Sequence, residues 1–167
     1  QKRLSAGDVT AEWVGLREVY EAHTPRMIRD GVPVANSRNS THGLMVEVLV
    51  DGQFGYYGTP DLTQKGVAAA AEKAFLLAKL AARHSIFKFD KSARPVFKGE
   101  YLSPFKKGRD SLSAGHLNQI LIEAYNHLKV SDTIVSASSL CQIIETNCRF
   151  VSSSGSDINQ ELLMLEF

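Results

Sequence analysis

Cysteine is nearly absent: Cys141 and Cys148 are the only two in 167 residues. They are too few and too far apart for a zinc knuckle and give no sign of a secreted disulfide scaffold, so a reducing, cytoplasmic setting is expected. Charge of one sign is lacking as well. The 19 Lys and Arg residues meet 18 Asp and Glu, which leaves no global field to gather nucleic acid or anionic lipid, so any charged partner must be recognised locally. No apolar run approaches the ~20 residues of a spanning helix, and the N-terminus has no signal-peptide core, so no membrane role is expected. The chain starts at Gln1 and stops inside the apolar run "ELLMLEF", and both ends read as cut.

Catalytic signatures are also missing. No histidine is followed by glutamate, so no helix can carry an H-E-x-x-H zinc motif. His116, Glu123 and His127 share one stripe of a helix, but eleven residues of helix rise about 16 Å. Zinc ligands must each come within about 2 Å of one ion, so the set fails on distance. His23 and His42 have no acidic neighbour at ligand spacing. The serines of "SASSL" and "VSSSGS" lack the G-x-S-x-G elbow and read as strand and turn residues. Gly52, Gly55 and Gly58 fall inside a hairpin rather than before a helix, which removes a phosphate cradle. The residues give neither a catalytic nor a metal site.

What is present is punctuation and periodicity. Asp30-Gly31 and Asp51-Gly52 each separate apolar or alternating runs, and Asp-Gly tolerates the positive φ that a type I′ hairpin turn demands. A first strand is read over 12–20, with Pro25 breaking the pattern before "RMIR" resumes it. Leu44, Val46, Val48 and Val50 share one face of the next strand, with Met45, Glu47, Leu49 and Asp51 on the other. Thr63 stands at an N-cap position before a helix reaching about Arg83. Val67, Ala70, Ala71, Ala74, Phe75, Ala78, Ala81 and Ala82 form its broad apolar stripe, which implies close backbone approach to a sheet. Gly66 in its first turn costs about 1 kcal/mol relative to alanine, so that end is expected to fray.

Leu117, Ile120, Leu121, Ala124, Tyr125 and Leu128 keep helical spacing and define a second helix. Strands are expected over 133–138, 142–151 and 157–167. The expected fold is a single α+β domain over 1–167: a mostly antiparallel sheet built from a β-meander and later hairpin strands, with two amphipathic helices on one face. Residues 84–110, without periodicity, form a long connecting segment within it.

The order of these pieces resembles the N-terminal domain of the TldD/PmbA family, called modulators of DNA gyrase, whose members are zinc metallopeptidase-like. The resemblance rests on "VEVLVDGQFGYYGTPDLT" with the helix "VAAAAEKAFLLAKLA" after it, then "GEYLSPF", then "FVSSSGSDINQ", and it covers nearly the whole chain. It implies an excised N-terminal part of a longer protein that uses zinc for proteolysis of unfolded peptides. The zinc motif lies in the later half of full-length members, so the resemblance implies no cofactor and no activity for these residues. Partners implied are the missing C-terminal domain, a homodimer or a heterodimer with a paralogous member, and an unfolded peptide substrate.

Two other readings remain. A binding module could add a peptide as an extra strand, with Arg38, Tyr56 and Tyr57 as contact candidates. Alternatively, Lys88, Lys91, Arg94, Lys98, Lys106, Lys107 and Arg109, interleaved with aromatics across 83–109, could hold a nucleic acid strand by phosphate contact and base stacking. The plainer reading of that stretch is a linker whose phenylalanines anchor it while lysines stay in water.

Overall fold

The computed structural model describes residues 10–106, 108 and 111–167. Strands β1 (Trp13–Arg29), β2 (Val32–Asn36), β3 (Asn39–Val50) and β4 (Gln53–Thr59) precede helix α1 (Gln64–Ala82). A single 3₁₀ turn (Lys91–Ala93), strand β5 (Lys98–Leu102), helix α2 (Ala114–Leu128) and strands β6 (Ser138–Ser152) and β7 (Asp157–Glu166) follow. The strands make one mostly antiparallel, open, seven-stranded sheet in the hydrogen-bonded order β4-β3-β1-β6-β7-β5, with β2 also paired to β1. The expected α+β class is the observed one. The chain divides into two compact units, the first holding the described residues to Tyr20, His42–Glu100 and Cys148–Gln160, the second the rest.

Both Asp-Gly turns form as read: Asp30 and Gly31 have φ of 51° and 79°, Asp51 and Gly52 of 52° and 78°. They set the registers Arg29↔Val32 and Val50↔Gln53. In the first unit Val46, Val48 and Val50 pack on Ala70, Ala74 and Ala78 of α1. The buried line of α1 is narrower than the expected stripe: Gly66, Ala70, Ala74 and Ala78 are buried and Ala81 is exposed. The cause is contact distance. A Cβ on Gly55 of β4 would lie 2.0 Å from the Ala74 carbonyl oxygen, so only a small-residue ridge fits against this strand.

The start of α1 is tied rather than frayed. Thr63 Oγ1 accepts from Gly66 N at 3.1 Å, and Asp61 Oδ1 accepts from Thr63 N at 3.0 Å. Gly66 is glycine because a Cβ there would meet the Asp61 carbonyl oxygen at 2.4 Å.

In the second unit Leu117, Leu121 and Tyr125 of α2 pack on Ile28, Cys141 and Ile143. Two expectations are corrected. β1 runs unbroken through Pro25, whose carbonyl oxygen accepts from Ser37 N at 3.5 Å while the β2 pairing begins only at Arg26↔Asn36. A proline is tolerated where its missing N–H is not asked for. Residues 133–137 are turn and coil, with Ser131 Oγ accepting from Thr133 N at 3.3 Å, and β6 is one strand from Ser138. Within 84–110 the chain forms the 3₁₀ turn and β5, so that connection carries structure of its own.

Candidate functional site

β3 carries one acid in an apolar run, Glu47 between Val46 and Val48. Strand alternation turns it away from the valines that meet α1, and there it is buried, its side chain 6% exposed. A carboxylate so placed needs a partner. Arg94 supplies it: Nε donates to Glu47 Oε1 at 2.9 Å, and Nη2 donates both to that oxygen and to the Tyr56 hydroxyl, the latter at 3.1 Å. The guanidinium lies 4.5 Å from the centre of the Phe54 ring, within cation–π range. Hydrogen bonding to Glu47 raises the Arg94 pKa further, and burial, followed by the Glu47 carboxylate, raises that of the Tyr56 hydroxyl.

Phe54 is itself fixed. Trp13 packs on it edge-on, with ring centres 6.1 Å apart at 86°, and Phe89 lies 5.6 Å away. The segment bringing Arg94 is held at both ends. Ser85 Oγ accepts from Gln53 Nε2 at 2.7 Å, and Phe89 N donates to Gly52 O at 2.8 Å. At the far end Phe97 O accepts from Asp157 N at 3.0 Å. Between Phe89 and Phe97 every residue except Arg94 is exposed. One side chain plugs in from an otherwise open segment.

The sequence candidates fall in several places. Tyr56 and Tyr57 point to opposite faces of β4: Tyr56 meets Arg94, whereas the Tyr57 hydroxyl accepts from Lys73 Nζ of α1 at 2.9 Å. Arg38 pairs with Glu145 at 2.7 Å in the second unit. Tyr56 and Tyr57 thus serve different contacts within the first unit. Lys88, Lys91 and Lys106 are exposed, Arg94 is committed to Glu47, and Lys107 and Arg109 lie outside the described residues. Lys98 lines a shallow cleft of about 460 Å³ with Gly99, Glu100, Arg149, Asp157 and Asn159, its charges mixed in sign.

Sequence reasoning missed the partners of two histidines. His23 Nε2 lies 2.6 Å from Glu21 Oε1, and Gln142 Nε2 lies 2.9 Å from His23 Nδ1. Bonds from His23 and then Thr146 hold the Glu21 carboxyl below its ordinary range. His42 Nε2 lies 2.8 Å from Glu18 Oε1. The signal for the first pair was the i, i+2 spacing on one strand face; the second joins β1 to β3 and has no local signature. The Glu47 site was legible only as a lone acid in an apolar strand.

Among the described residues no three His, Cys, Asp or Glu side chains come together to hold a metal ion, and no helix is long and apolar enough to cross a membrane. Architecture first defines the class: an α+β domain in which helices cover an open, mostly antiparallel sheet. Residues 13–78, about 40% of the chain, match the family model described as PmbA/TldA metallopeptidase domain 1, and that stretch is similar to the first domain of that family.

Several solved structures share the fold. A candidate modulator of DNA gyrase from Bacteroides thetaiotaomicron aligns over 93% of this chain and 36% of its own at 16% identity, with a TM-score of 0.61. One from Thermotoga maritima aligns over 90% and 33% at 12% identity, with a TM-score of 0.64. TldE from Thermococcus kodakarensis aligns over 90% and 34% at 16% identity, with a TM-score of 0.64. The chain thus spans about a third of the length of each. Comparison with curated protein sequences gives no match. The metal that the family description implies does not fit the donors present here, so no chemical step is assigned to it in these residues.

Proposed function

We propose that this chain is the non-catalytic N-terminal domain of a PmbA/TldD-like zinc metallopeptidase. The observation that carries the reading is the match of residues 13–78 to a metallopeptidase first domain. It is supported by structures about three times as long that share this fold. In this reading the parent is a cytoplasmic protein that hydrolyses unfolded peptides with zinc-activated water. The present domain shapes the substrate chamber and contributes to a dimer, either with itself or with a paralogous member. Deleting residues 1–167 from the parent tests this: the remainder should keep its zinc but lose hydrolysis of an unstructured polypeptide. Undiminished hydrolysis would overturn the assignment.

A second reading, peptide capture by strand addition, is favoured by β5. It ends the sheet order, and all five of its residues are exposed. An unpaired strand edge offers backbone donors and acceptors to an extended peptide. Protection of the β5 amides from hydrogen exchange by an unstructured peptide is its expected signature, and unchanged exchange would contradict it.

A further inference from the structure

We infer that Glu47, Phe54 and Tyr56 form a guanidinium-binding site, occupied in this chain by its own Arg94, which an arginine side chain of another polypeptide can take over. The site has the parts that guanidinium recognition requires. A buried carboxylate faces the Nε edge, a phenolic oxygen accepts from Nη2, and an aromatic face lies 4.5 Å beneath the cation. An ammonium has no planar fork and would use these parts less well.

The way Arg94 enters separates an in-cis ligand from an ordinary core ion pair. Its neighbours Lys91, Ser92, Ala93, Pro95 and Val96 are exposed, and the Arg94 side chain as a whole keeps 37% of its surface. The segment is anchored independently at Ser85, Phe89 and Phe97. Arg94 can therefore leave without the segment detaching, and the floor under it stays, because Trp13, Phe89 and Tyr56 hold Phe54 in place. Departure of Arg94 leaves the Glu47 carboxylate, set in an apolar strand, without the cation that it bonds here, which favours entry of another guanidinium. Arg94 thus acts as an autoinhibitory occupant, tethered at an effective concentration on the order of millimolar. This inference does not depend on the peptidase reading.

The test uses the 167-residue chain and its single tryptophan, Trp13, which touches Phe54 and so reports on the site. N-acetyl-arginine amide is titrated into wild type, Arg94→Ala and the Arg94→Ala/Glu47→Gln double variant, with N-acetyl-lysine amide as control. The expected result is a saturable rise in the melting temperature of Arg94→Ala with the arginine compound alone. Wild type should need at least about tenfold more, because Arg94 competes in cis, and the double variant should not respond. Equal responses in all three proteins, equal responses to lysine, or no response of folded Arg94→Ala would overturn the proposal. Should Arg94→Ala not fold, wild type decides by NMR. The Arg94 Nε–H resonance should move with excess of an arginine-containing peptide and stay put with its lysine analogue; a resonance indifferent to both contradicts the site.

Discussion

Gly55 of β4 lies so close to Ala74 of α1 that a Cβ on the glycine would stand 2.0 Å from the Ala74 carbonyl oxygen and 2.6 Å from Ala78 N. Backbone meets backbone here, and a helix cannot yield as a flexible side chain can. Gly55→Ala is therefore expected to destabilise the domain by about 3 kcal/mol, at the upper end of overpacking effects. Gly58→Ala, with nothing within 4 Å, should change stability little. Urea unfolding of the two variants checks the contrast, and similar costs at both positions would contradict the packing described.

Gly66 gives an expectation opposite to helix propensity. Alanine in a first helical turn ordinarily stabilises, by up to about 1 kcal/mol over glycine. Here the added Cβ would meet Asp61 backbone and side-chain atoms at 2.4 Å and 2.3 Å, and Asp61 also ties down the cap residue Thr63. Gly66→Ala should lower the melting temperature, which differential scanning calorimetry would show.

Removal of Arg94 and removal of the Glu47 charge should not be equivalent. Arg94→Ala leaves the Glu47 carboxylate without its cation, with a cost near the lower end of the about 3–5 kcal/mol seen for broken buried pairs. Glu47→Gln leaves an arginine whose side chain is 37% exposed and can turn to water, so about 1–2 kcal/mol is expected. Chemical denaturation followed by Trp13 fluorescence measures both, and a larger cost for Glu47→Gln would reverse the assignment of which group is trapped.

Much of this fold was legible in the sequence because local chemistry carried it. Asp30-Gly31 and Asp51-Gly52 dictated hairpins through positive φ, Thr63 capped α1, and Leu117, Leu121 and Tyr125 declared the buried face of α2. What escaped was non-local. Pro25 looked like a strand break because the missing demand for its N–H depends on where β2 begins to pair. Gly66 looked like a weakness because the crowding by Asp61 appears only once the cap has folded. Arg94 looked like one cation among many in a basic stretch, and its partner stands 47 residues earlier on β3.

Acid should loosen the second unit at the β1–β2 turn. Asp30 Oδ1 accepts from Ala137 N and Oδ2 from Ser136 Oγ, both at 3.0 Å, and these bonds, the Ala137 amide first, hold its carboxyl below the ordinary aspartate range. A depressed carboxylate adds stability above its unfolded pKa that is lost as pH falls through its folded one. Stability should thus decline below about pH 4. Asp30→Ala should remove part of that decline, and an unchanged acid limb in the variant's pH titration would show that the contact contributes nothing.

The central proposal, that this chain is the part of a PmbA/TldD-like metallopeptidase that holds neither metal nor chemistry, is tested most directly by metal content measured beside peptidase activity. The 167-residue chain and the full-length parent would be purified in parallel, analysed for bound zinc, and assayed on an unstructured peptide with and without chelator. The account predicts zinc and chelator-sensitive cleavage in the full-length protein alone. Stoichiometric zinc with cleavage by the 167-residue chain itself would contradict it.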